Sequence, residues 1–82
     1  MTAAASPLVL LIDDDIELAG LIAQLFRREG IALQHAATGG AGLAAIDVDE
    51  GRPDLVLLDL MLPDMPGIEV FRALRRAQAG CR

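Results

Sequence analysis

At 82 residues the chain has room for one domain at most, and a chain this short buries only about 60 to 65% of its extended surface. Hydrophobic residues make up 54% of it, with two Phe and no Trp or Tyr, so the core must be built from Leu, Ile, Val and Ala, as suits α/β layers. A net charge of −5 argues against direct nucleic-acid binding by this segment, because gripping phosphates needs a basic surface.

Met1-Thr2-Ala3-Ala4-Ala5-Ser6 has no basic region of the kind that opens a secretory signal. Leu8-Val9-Leu10-Leu11-Ile12 is a continuous apolar run of buried-strand type, too short to span a membrane before Asp13-Asp14-Asp15 intervenes. Cys81 stands alone, so no intrachain disulfide forms, and a cytoplasmic location is expected with no membrane partner. A helix follows the aspartates, with Leu18, Leu21, Ile22 and Leu25 as its apolar stripe. Asp14 or Asp15 caps its start, Arg27 and Arg28 complement its end, and Gly30 supplies the left-handed stop. Gly20 lowers its helical propensity, but the stripe is regular.

Ile31 to Ala36 reads as a second strand, less apolar and therefore expected at an edge. Thr38 caps a second helix through Leu43, Ala44, Ala45 and Ile46, weakened by Gly39, Gly40 and Gly42. The polar segment Asp47 to Arg52 turns into Leu55-Val56-Leu57-Leu58, a third strand expected to be buried on both faces. A proline loop then leads to a third helix from about Gly67 to Gln78, with Val70, Phe71 and Leu74 facing inward and Arg72, Arg75 and Arg76 solvated.

The resulting βαβαβα order predicts parallel strands joined by right-handed crossovers. Strand order 2-1-3 would set the first and third strands side by side and bring Asp13 and Asp14 to the sheet end that carries Asp59. Ligands in open α/β sheets bind at the carboxyl ends of strands. Like charges gathered there repel one another, and a divalent cation removes the conflict. Mg²⁺ takes oxygen ligands, accepts one or two carboxylates directly and keeps several waters. A carboxylate beside it can act as a nucleophile toward phosphorus.

With Leu10-Leu11-Ile12-Asp13-Asp14-Asp15, Leu55-Val56-Leu57-Leu58-Asp59-Leu60-Met61-Leu62-Pro63, and Gly67 eight residues past Asp59, the chain resembles the N-terminal part of a bacterial response-regulator receiver domain from Leu8 onward. The resemblance implies a flavodoxin-like three-layer sandwich of which residues 1–82 hold the first three βα units. It implies a phosphoacceptor signalling domain, not an enzyme, in which Asp59 takes a phosphoryl group from a sensor histidine kinase to control an output domain, most often one that binds DNA. Asp14, Asp59 and the backbone carbonyl of Met61 are implied as Mg²⁺ ligands, with Asp13 acting through water.

The family's fourth strand ends in a Ser or Thr and its fifth in a Lys, both touching the phosphoryl group. This sequence contains no Lys and offers no candidate for either. The expectation is a segment ending before the fourth strand, without an output domain, that forms a homodimer or exchanged dimer through its exposed third-strand edge. Two alternatives stand beside this reading. A haloacid-dehalogenase-like phosphatase would use Asp13 as nucleophile and Asp15 as general acid, but expects Thr or Val where Glu17 stands. A receiver-like interaction module would keep the fold without being phosphorylated. Asp15 is explained by capping or solvent exposure, and His35 by an ordinary place on a strand. Cys81 is assigned to the turn before an absent strand.

Overall fold

The computed structural model describes residues 7–46 and 53–80, with side chains described to residue 76. Asp47–Arg52 and Cys81, both singled out above, lie outside the described residues. Six elements alternate: β1 (Leu8–Ile12), α1 (Ile16–Arg28), β2 (Ala32–Ala36), α2 (Gly39–Ile46), β3 (Leu55–Leu58) and α3 (Gly67–Gly80). The strands form one parallel sheet in the order β2-β1-β3. Val9 lies opposite Leu33 on one side and Leu55 on the other, and Ile12 lies opposite Ala36 and Leu58.

The core centres on β1. Leu10 and Ile12 are fully buried and cluster with Ala36 and with Val70 of α3, while Leu43, Val56 and Leu74 pack around them. Successive strand residues point to opposite faces, so Val9 and Leu11 line the other face and are also buried. Each such aliphatic side chain contributes about 1.5–3 kcal/mol when fully removed from water.

Three expectations need correction. The stripe expected to bury α1 is largely exposed, Leu21 at 62% and Leu25 at 58%. Of that stripe Ile22 is half-buried, and the helix turns it inward together with Ala19, Ala23 and Phe26, of which Ala19 is buried. These residues have the same i, i+3, i+4, i+7 spacing, and their alanines let the helix backbone approach its neighbours. The third strand is not buried on both faces. Its place at the sheet edge among the described residues is the one expected from the order 2-1-3, but there Leu55 is exposed and Val56, Leu57 and Leu58 are half-buried. In α3, Val70 and Leu74 face inward as expected, but Phe71 is 45% exposed and lies 5.9 Å beneath the Arg75 guanidinium.

Helix ends follow the local chemistry. Of the two candidates for the α1 cap, Asp15 does the work: its Oδ1 accepts the Leu18 N–H at 3.0 Å. Gly30 takes a φ of 76° after the last turn, a conformation open to glycine at no steric cost.

Candidate functional site

The carboxyl end of the sheet is where the acidic residues meet. Asp13 follows β1, and its N–H donates to the Ala36 carbonyl at 3.0 Å. Asp59 follows β3, and its N–H donates to the Ile12 carbonyl at 2.9 Å. Each hydrogen bond carries the ladder one residue beyond its strand, so both backbones are held where the sheet leaves them. Asp14 sits between Asp13 and the α1 cap. Carboxylate oxygens of Asp13, Asp14 and Asp59 all lie within 4.8 Å of one another, with Asp13 and Asp59 half-buried and Asp14 exposed.

Three anionic groups at that spacing repel unless something positive joins them. No arginine of the described residues forms an ion pair with them, and the oxygen-only donor set suits a hard divalent cation. The structure therefore brings together the three aspartates that the sequence singled out.

Local hydrogen bonds orient this cluster. Asp13 Oδ1 accepts the Asp15 N–H at 2.9 Å, an Asx turn that folds the chain from β1 into α1. Asp59 Oδ1 accepts the Met61 N–H at 3.1 Å, which keeps Met61 next to Asp59. Met61 itself is 82% exposed. The loop after Asp59 is closed at its base, where Met61 bridges to Pro66 and the Gly67 N–H donates to the Leu60 carbonyl at 2.8 Å. A Cβ on Gly67 would run into the Asp59 carbonyl oxygen and stand 2.6 Å from Leu60 Cα. Glycine is required there because α3 begins against the loop backbone.

Two participants were not legible as such in the sequence. His35 Nε2 lies 2.6 Å from the Asp13 carbonyl oxygen. A carbonyl only accepts, so this contact uses the tautomer with Nε2–H. The strand histidine thus braces the backbone of a site residue, which nothing in the local pattern of Ile31–Ala36 signals. Asp64, in the proline loop, accepts the N–H groups of Gly39 and Gly40 at 2.8 and 2.9 Å. These two backbone donors hold its carboxyl below the ordinary aspartate range. Asp15, the general acid of the phosphatase alternative, has its Oδ1 engaged as the α1 cap.

Residues 9–82 match the family described as response regulator receiver domain. The chain is 49% identical over 67 residues to the DNA-binding response regulator MtrA of Mycobacterium tuberculosis, covering 82% of this chain and 28% of that protein. It is 40% identical over 68 residues to the sporulation initiation phosphotransferase F of Bacillus subtilis, covering 82% of this chain and 52% of that one. Among solved structures, a CheY-like response regulator receiver domain protein from Methanospirillum hungatei superposes with a TM-score of 0.81 at 33% identity, over 92% of this chain and 58% of that chain. The response regulator TrrA of Thermotoga maritima, solved in complex with Mg(2+)-BeF, gives 0.78 at 27% identity, over 89% of this chain and 62% of that chain.

Proposed function

The chain belongs to the response regulator receiver domain family, and from that premise we propose that Asp59 is a phosphoacceptor, taking a phosphoryl group from a sensor histidine kinase. The observation that carries this reading is the meeting of Asp13, Asp14 and Asp59 within 4.8 Å at the carboxyl end of the sheet. The chain spans well under two thirds of the relatives it matches. We read residues 1–82 as the N-terminal part of a receiver domain, acting in the cytoplasm. MtrA is named as DNA-binding, and we infer that the output here is likewise transcriptional. The acidic segment itself makes no contact with nucleic acid in this reading. Among the described residues no helix is long and apolar enough to cross a membrane.

Asp14, Asp59 and the Met61 carbonyl would hold Mg²⁺ directly and Asp13 through water, and the bound cation supplies positive charge that offsets the negative charge on the phosphoryl oxygens. The protein's own part begins at Asp59. The Met61 N–H engages Oδ1, restricting the carboxylate's rotation and leaving Oδ2 as the attacking atom. A P–O bond forms at Asp59 while the donor's bond to phosphorus breaks, and the departing donor atom keeps the electron pair. Asp59 ends as an acyl phosphate. The domain is in this sense an acceptor of signal and not a catalyst acting on a separate substrate.

Acetyl phosphate with Mg²⁺, followed by mass spectrometry of the peptides, tests the reading. Modification at Asp59, absent in Asp59→Asn, is the expected result. Modification at Asp13 would favour the phosphatase alternative, and modification at neither would favour a non-phosphorylated interaction module.

The outer edge of β3 has no strand beside it among the described residues, and Leu55 is 54% exposed there. Such an edge is a template for pairing, and we infer that the 82-residue chain self-associates through it as a homodimer or exchanged dimer.

A further inference from the structure

Helix α2 is poorly suited to stand alone. Three of its eight residues are glycine, Gly39, Gly40 and Gly42, each costing about 1 kcal/mol of helix propensity relative to alanine. An isolated helix of that length is marginal even with good formers. Three N–H groups at its N-terminus nevertheless have side-chain acceptors. Thr38 Oγ1 accepts the Ala41 N–H at 3.0 Å, and the preceding donors, Gly39 and Gly40, are both taken by Asp64. Asp64 is not a local cap, since it lies 25 residues beyond Gly39, in the loop that follows Asp59. Side-chain packing repeats the link. A Cβ on Gly39 would stand 2.7 Å from Met65 Cγ and 3.0 Å from Val70 Cγ2, so the loop and α3 both press on that turn.

The loop from Leu60 to Pro66 is therefore held at two places. Its base is closed by the Met61–Pro66 bridge and the Gly67 to Leu60 hydrogen bond. Its tip is fastened to α2 by the two oxygens of Asp64. Met61 belongs to the base, and its N–H also donates to Asp59 Oδ1.

We propose that Asp64 is a positioning residue for the carboxylate site: by fastening the tip of the Leu60–Pro66 loop to the first turn of α2, it holds Met61 against Asp59 and sets the site's affinity for a divalent cation. This rests on the reading of Asp13, Asp14 and Asp59 as that cation's ligands. Asp64 touches no reacting atom and acts only through the loop.

The test titrates Mg²⁺ into the 82-residue chain by calorimetry, for the unmodified protein and for Asp14→Ala, Asp64→Ala and Asp64→Asn. Amide hydrogen exchange at Gly39, Gly40 and Met61 and thermal melting are recorded on the same samples. Partners outside the first ligand shell typically contribute about 10- to 100-fold to metal affinity. Asp64→Ala is expected to weaken Mg²⁺ binding by about tenfold and to speed exchange at all three amides. Asp64→Asn, which keeps one oxygen acceptor, falls between. A lowered melting temperature with Mg²⁺ affinity and Met61 exchange unchanged, measured where the protein is folded, would reduce Asp64 to a helix cap and overturn the proposal. If Asp64→Ala does not fold, the same comparison on Asp64→Asn decides. Loss of binding in Asp14→Ala with none in the folded Asp64 variant sinks this proposal alone. Unchanged binding in Asp14→Ala removes the underlying cation site, and the proposal with it.

Discussion

The Asp59 N–H donates to the Ile12 carbonyl, 2.9 Å away, one step beyond the last paired residue of β3. Through that bond the end of β1 holds the start of the loop after β3, and Asp59 comes to rest beside Asp13 and Asp14. A parallel pair leaves both strands at the same end of the sheet, so residues 46 positions apart share one site.

Removing a central ligand should abolish cation binding. Asp14 is exposed and outside the sheet ladder, so Asp14→Ala deletes a carboxylate at little structural cost. We expect Mg²⁺ or Mn²⁺ titration to lose its signal while the melting temperature stays within a few degrees, since surface changes are usually within about 0.5 kcal/mol. Binding equal to the unmodified chain would contradict the ligand assignment.

Gly67→Ala should damage both stability and the site. Its Cβ meets backbone atoms of Asp59 and Leu60, which cannot swing aside as a side chain would. Overpacking of this kind typically costs about 1–3 kcal/mol. Urea denaturation should show that loss, and acetyl phosphate labelling of Asp59 should fall in protein that remains folded. Full labelling at unchanged stability would show that the loop shifts freely.

Asp64 makes a pH-dependent contribution of known sign. Its folded carboxyl is held below the ordinary value by the Gly39 and Gly40 N–H groups. A depressed acid stabilises the fold above its unfolded pKa, about 3.9, and that contribution fades as pH falls through the lower folded value. The stability gap between the unmodified chain and Asp64→Ala should be constant from neutral pH to about pH 5 and narrow below about pH 4. A gap that widened on acidification would contradict the hydrogen-bonded carboxylate.

Self-association should depend on the β3 edge. Sedimentation of the 82-residue chain should show a dimer that dissociates on dilution, and Leu55→Lys should shift it toward monomer, because a lysine on an edge strand opposes pairing. A compact folded monomer at high concentration would show that the three βα units need no partner.

Much of this molecule follows from short-range pattern. Apolar runs of four or five residues ended by aspartate, alternating with helical stripes, specify βαβαβα, and the parallel order 2-1-3 then puts Asp13, Asp14 and Asp59 at one sheet end. Backbone geometry is enough for that, since strand direction alone decides which end a residue occupies. Which face of α1 is buried was not decided this way. Leu18, Leu21, Ile22 and Leu25 make as regular a stripe as Ala19, Ile22, Ala23 and Phe26, and only packing against the rest of the fold turns the second set inward. The burial of β3 depends likewise on what lies beside it, not on its own run of Leu and Val. The braces on the site were also invisible in the sequence. His35 reaches Asp13 across 22 residues and Asp64 reaches Gly39 across 25, and a hydrogen bond at such separation exists only after the chain has closed the loop between its partners.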